Sequence, residues 1–128
     1  MKKKELPLSP HLQIYKPQIT SILSITHRIT GFALNFSLVL FVIGLLCISS
    51  GESYYLIYLS YLKTFPLKII FFLTILGFIY HLLNGFRHIL WDFGLFLENK
   101  SASIFGYLII ILTLISTIYL SFVLGFFS

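Results

Sequence analysis

Three stretches of this chain stay apolar long enough to cross a bilayer, and short polar clusters separate them. From Gly31 to Ile48 the main interruptions are Asn35 and Ser37. Counting the turns before it, this stretch reaches the ~20 residues that a spanning helix needs. The pattern predicts a helix from near Ser21, capped by Thr20 or Ser21, ending at Ser49-Ser50-Gly51-Glu52. Tyr54 to Leu62 is Tyr-rich and too short to span; Tyr favours headgroup level, where its ring stays apolar and its hydroxyl meets water. Pro66 follows, and then the second long run. Residues 1–20 carry Pro7, Pro10 and Pro17, which oppose a continuous helix and predict an extended surface arm.

The expected architecture is an all-α membrane protein with three transmembrane helices, an N-terminal extended arm and an interfacial segment between spans one and two. One membrane-anchor domain covers residues 1–128, with the arm at 1–20 and spans at about 21–48, 67–90 and 103–127. Composition sharpens this. The chain is 58% hydrophobic and only 10% charged, with a mean hydropathy of +0.96; a soluble domain carries about 25% charged residues. Lys2, Lys3, Lys4, Lys16 and Arg28, together with Arg87 and Lys100, make seven of the nine Lys and Arg residues. All seven belong to one side of the three-span topology, leaving Lys63 and Lys68 on the other. The positive-inside rule then places the N-terminus on the cytoplasmic or matrix side. The N-terminal segment lacks an apolar signal core and a cleavage site, so the mature chain is expected to begin at or near Met1. Cys47, the sole cysteine, predicts packing rather than a disulfide.

Within the second apolar stretch stands His81. An ionisable group at that depth costs roughly 2–3 kcal/mol when charged, and it usually has a partner or a task. On a helix His81, Gly85, His88 and Asp92 share one narrow stripe, extended backward by Gly77. The glycines suit either a planar macrocycle or the close approach of a neighbouring helix. His81 itself reads either as a metal ligand or as a histidine hydrogen-bonded to another helix. His81 and His88 are about 10 Å apart along one helix face, so they cannot approach one iron from opposite sides. His27 and His11 are expected near the surface, away from His81. An iron on His81 therefore needs a second ligand from another chain, or has none. His88 reads as a polar contact. Arg87 and Asp92 are expected at the inner interface, Arg87 either snorkelling to headgroups or clamping a carboxylate or propionate.

A second constellation precedes the first span. Ser24, Arg28 and Gly31 share a helix face, with His27 beside them. A hydroxyl, a guanidinium and an imidazole at the membrane entrance suit the polar head of an otherwise apolar ligand. Contact with lipid phosphate uses the same residues. Neither cluster has the makings of a hydrolase triad, a phosphate loop or a cysteine metal site.

Taken in order, Ser9-Pro10-His11-Leu12-Gln13-Ile14-Tyr15, the run Ser21 to Gly31 and the run His81 to Asp92 resemble the succinate dehydrogenase cytochrome b subunit family, the larger membrane anchor of respiratory complex II. The patterns S-x-x-H-R-x-[ST]-G and H-x-x-x-G-x-R-H-x-x-x-D carry the likeness. It implies that His81 is an axial ligand of a b-type haem iron whose second axial ligand comes from a partner, a second small membrane anchor subunit. It implies that Ser24 and Arg28 line a ubiquinone site near the iron–sulfur subunit, and that His27 and Arg28 lie close to the haem propionates. Arg87, His88 and Asp92 remain secondary polar candidates. Succinate oxidation, on the same resemblance, belongs to a flavoprotein subunit, and this chain docks the flavoprotein and iron–sulfur subunits to the lipid bilayer.

The rival reading is a non-haem membrane anchor of the same or a fumarate-reducing complex. A small transporter would need a polar path through the midplane, and apart from His81 the spans offer only scattered Ser, Thr and Asn. No nucleic-acid partner is expected. The lack of a presequence suits the mitochondrial inner membrane, with the N-terminus in the matrix, or alternatively a bacterial inner membrane with a cytoplasmic N-terminus. The abundance of Phe, Ile, Leu, Tyr and Lys, with little Val or Ala, points to an AT-rich genome, which fits either setting; the mitochondrial one is preferred.

Overall fold

A computed structural model describes residues 15–125 and shows four helices in chain order. They are α1 (Ile19–Ser49), α2 (Glu52–Leu62), α3 (Phe65–Asp92) and α4 (Asn99–Val123). Among the described residues there is no strand, and α1, α3 and α4 are long and apolar enough to cross a membrane. Most of the sequence-predicted arm, including His11, lies outside the described residues; Tyr15 to Gln18 precede the first helix and are not helical.

Helix boundaries follow local chemistry, with some departures from the sequence reading. The α1 N-cap is Gln18, in an extended conformation and without a side-chain cap bond. Thr20 and Ser21 are therefore inside the helix rather than capping it. Pro17 sits just outside, where its missing N–H costs the helix nothing. Pro66 lies in the first turn of α3, a position whose N–H has no intrahelical partner in any case. At the other end of α3, Gly94 has φ 75°. Its N–H donates to the Trp91 carbonyl at 2.8 Å, and that of Leu95 to the Leu90 carbonyl at 3.0 Å. This paired closure needs a left-handed residue, which glycine supplies without a Cβ penalty. The α4 helix begins at Asn99, four residues earlier than the span read from hydropathy, because its first turn is polar.

The α3 helix is the centre of the bundle, packed on α1 along one side and on α4 along another, with lesser contact between α1 and α4. Association between membrane helices depends on close backbone approach, because lipid tails are as apolar as leucine. The α4 face turned inward is accordingly built from Ala102, Gly106, Ile109, Thr113, Thr117 and Ser121. Leu23, Tyr80 and Ile109 form the core where the three helices meet. The Tyr80 hydroxyl donates to the Leu23 carbonyl at 2.7 Å, and the Ser37 and Thr74 hydroxyls pair at 2.9 Å, both tying α1 to α3. The Tyr-rich α2 returns along α1, where the Tyr58 hydroxyl donates to the Leu40 carbonyl at 2.9 Å. These contacts put the start of α1, the end of α3 and the start of α4 at one end of the bundle, with Lys63 and Lys68 toward the other.

Candidate functional site: an imidazole cluster between α1 and α3

Counting along α3, His81 lies about 4 Å from the midpoint of this candidate span at the standard rise of 1.5 Å per residue. Its ring is half-buried and faces α1. Nδ1 is 3.2 Å from the His27 carbonyl oxygen and 3.3 Å from Thr30 Oγ1. The ring rests against the backbone of α1 at Gly31, where a Cβ would fall 2.9 Å from His81 Cε1. Among the described residues Nε2 has no hydrogen-bond partner. Beside the ring is a shallow recess of about 240 Å³ on the outer face of α3, bordered by Leu82, Gly85, Phe86 and Ile89.

His27 is not remote from this site, contrary to the sequence expectation. Its ring stacks on that of His81, with centroids 3.9 Å apart and planes 8° from parallel. The His88 ring follows at 5.1 Å from His27. Hydropathy places His27 only by distance along its own helix; the crossing of α1 against α3 brings it level with His81. A parallel stack cannot supply both axial ligands of one iron, because axial nitrogens must face each other across the metal. Among the described residues no three His, Cys, Asp or Glu side chains converge on a metal position. Among the described residues, the group this arrangement offers toward the recess on α3 is the His81 imidazole.

The glycine stripe resolves in favour of helix approach. A Cβ on Gly85 would meet His27 Cε1 at 3.8 Å, and one on Gly77 would meet the Thr30 methyl at 3.9 Å. Both glycines thus face α1, although Gly85 also borders the recess. Arg87 differs further from expectation. It neither snorkels nor stands free as a clamp: it is 2% exposed. One Nη donates to the Ala102 carbonyl at 3.1 Å and the other to Asn84 Oδ1 at 3.4 Å, while the guanidinium lies 4.0 Å from the centre of the Trp91 ring. Asn84, in turn, contacts His88 Nε2 at 3.5 Å. His88 is thereby a polar contact, edge-on to Trp91 at 5.3 Å. Asp92 is exposed at the end of α3.

Three buried nitrogens in this neighbourhood, His27 Nδ1, Arg87 Nε and Trp91 Nε1, have no hydrogen-bond partner among the described residues. Buried donors without acceptors are uncommon and call for a partner. Ser24 is half-buried and Arg28 exposed, one turn apart on α1. Neither makes a hydrogen bond or ion pair among the described residues, so both are free to meet a ligand or another chain. At 100° per residue, the Ser24 and Arg28 side chains leave the helix about 60° and about 100° from that of His27. Sequence reasoning overlooked Thr30, Tyr80, Asn84 and Trp91, which ordinary helix periodicity assigns to packing; only the helix crossings reveal their polar contacts.

Comparison with known proteins adds a second line. The sequence model of the succinate dehydrogenase/fumarate reductase transmembrane subunit family matches residues 2–120. A succinate dehydrogenase cytochrome b560 subunit of Marchantia polymorpha is 49% identical over 98 residues, covering 72% of this chain and 71% of the relative. The cytochrome b556 subunit of Rickettsia bellii is 40% identical over 118 residues, covering 89% of each. The cytochrome b560 subunit of Reclinomonas americana is 39% identical over 117 residues, covering 88% of this chain and 81% of the relative.

Proposed function

This chain belongs to the succinate dehydrogenase/fumarate reductase transmembrane subunit family, and on that premise we propose that it is the haem b-binding membrane anchor of a succinate:ubiquinone oxidoreductase. In this reading it docks the flavoprotein and iron–sulfur subunits and helps to form the site where ubiquinone is reduced. The observation that carries the haem assignment is the orientation of His81: near the middle of α3 its Nδ1 faces polar atoms of α1, and its Nε2 has no partner among the described residues. Relatives named cytochrome b560 and b556 support the same assignment.

The residues present fit such a group. His81 would hold the iron through Nε2, and a second small anchor subunit would supply the other protein ligand. Bound there, haem supplies a one-electron redox centre inside the membrane. His27 Nδ1, buried and unpaired, would donate to a propionate, with Arg28 completing the charge. On the outer side of α1, the Ser24 hydroxyl would hydrogen-bond a quinone carbonyl. The Arg28 guanidinium would stabilise the negative charge that develops on that oxygen as electrons arrive from the iron–sulfur subunit. Succinate is oxidised on the flavoprotein in this scheme, so this chain contributes no catalytic residue to that half-reaction. The charge distribution supports an N-terminus on the matrix side of a mitochondrial inner membrane or, alternatively, on the cytoplasmic side of a bacterial one.

The decisive measurement is a reduced-minus-oxidised spectrum of the assembled complex. A low-spin b-type signal that disappears in His81→Leu is expected. Intact quinone reductase activity with no b-type absorbance in the unaltered complex would remove haem and leave a non-haem anchor.

A further inference from the structure

We propose that Thr30 is a positioning residue for His81: together with the His27 carbonyl it fixes the imidazole as the Nδ1–H tautomer and presents Nε2 as a bare lone pair. This inference rests on the haem reading above and deepens it.

The argument is one of donors and acceptors. Thr30 Oγ1 lies 2.9 Å from the His27 carbonyl oxygen and 3.0 Å from that of Thr26. Both carbonyls only accept, and the hydroxyl has a single proton to share between them. What Thr30 then turns toward His81 Nδ1, 3.3 Å away, is an oxygen lone pair. The His27 carbonyl oxygen, 3.2 Å from the same nitrogen, is also an acceptor. Two acceptors converging on Nδ1 require it to carry the proton. In the neutral imidazole that ligates metals, a proton on Nδ1 leaves Nε2 as the lone-pair nitrogen.

Steric constraints close off the other options. The His27 ring covers one face of His81 at 3.9 Å, and the backbone at Gly31 approaches its Cε1 edge. Rotation by half a turn about the ring axis would replace Nδ1 with a carbon and leave both acceptors facing C–H. A hydrogen bond at Nδ1 would also make Nε2 a stronger electron-pair donor to a metal, which would favour oxidised over reduced iron.

The test uses the assembled complex. In Thr30→Val, which keeps the branched shape and removes the oxygen, haem affinity is expected to fall about tenfold, near the lower limit for losing a ligand's hydrogen-bonding partner, because the His27 carbonyl remains. The haem midpoint potential is expected to rise, by about 59 mV for each tenfold preferential loss of affinity for oxidised iron. Thr30→Ser, which returns the hydroxyl, should restore both. Should Thr30→Val not assemble, Thr30→Ala is read by the same two quantities. Unchanged potential and retention in the Val or Ala variant, with haem still lost in His81→Leu, would overturn this inference and leave the haem reading standing. Absence of b-type haem from the unaltered complex would overturn both. A potential that shifts equally in Thr30→Ser and Thr30→Val would also overturn it, since the hydroxyl would then have no part in the effect.

Discussion

Arg28 and Arg87 carry the same guanidinium into opposite surroundings, and their roles diverge with them. Arg87 is buried against Trp91 and the Ala102 carbonyl, where it ties the end of α3 to the start of α4. Arg28 is exposed and unpaired among the described residues, one turn from Ser24, and remains available to a ligand. Arg28→Leu is therefore expected to lower quinone reduction by roughly 100-fold, the scale of losing one charge-stabilising donor. Electron delivery to a soluble acceptor dye should fall far less, and assaying both acceptors on one preparation separates a site defect from failed assembly. Arg28→Lys should recover only part of the activity, because an ammonium lacks the planar fork.

At the scale of the helices, two junctions can be tested. The start of α4 is held to the end of α3 by Arg87. Arg87→Ala removes the added hydrogen bond to the Ala102 carbonyl and the stack on Trp91, at a combined cost of about 2–4 kcal/mol. Thermal denaturation of the purified complex should show the loss, with Arg87→Lys recovering part of it. The α2 helix docks on α1 through Tyr58, outside the spanning segments. Burial foremost, then the neighbouring Cys47 and Tyr55, push the Tyr58 phenol above its ordinary value. A raised value means that the docked state holds its proton more tightly than the undocked one. The contribution is complete below the ordinary phenol value of about 10 and declines as pH rises through the elevated one. Protease sensitivity of the loops flanking α2 should thus be constant from neutral pH to about 10 and increase beyond it, whereas Tyr58→Phe should be sensitive throughout.

For the molecule as a whole, the helix order fixes which charges share a side. Lys16, Arg28, Arg87 and Lys100 gather toward one end of the bundle, and Lys63 and Lys68 toward the other. If the positive-inside rule holds here, a membrane-impermeant amine reagent added to the matrix or cytoplasmic face of sealed membranes should modify Lys100 and spare Lys63. Reagent on the opposite face should reverse the pattern; labelling of Lys63 from the inner side would invert the proposed orientation. The extensive apolar exterior, with Phe32 and Phe36 both more than half exposed, is in keeping with a chain surrounded by lipid and partner helices rather than water.

How much of this was legible beforehand differs by level. Hydropathy determined the three spans, the short Tyr-rich helix and the sidedness of the charges, because the bilayer acts on each segment separately and demands only length and apolarity. Residue order within Ser21 to Gly31 and His81 to Asp92 was enough to raise the family resemblance and to single out His81. What no single helix could reveal is the depth of His27 relative to His81, the burial of Arg87, or the meeting of Thr30 with an imidazole 51 residues away. Those depend on how far α1 slides and rotates against α3 and α4. That register is set by close backbone approach and by hydrogen bonds between helices, and only the tertiary structure decided it.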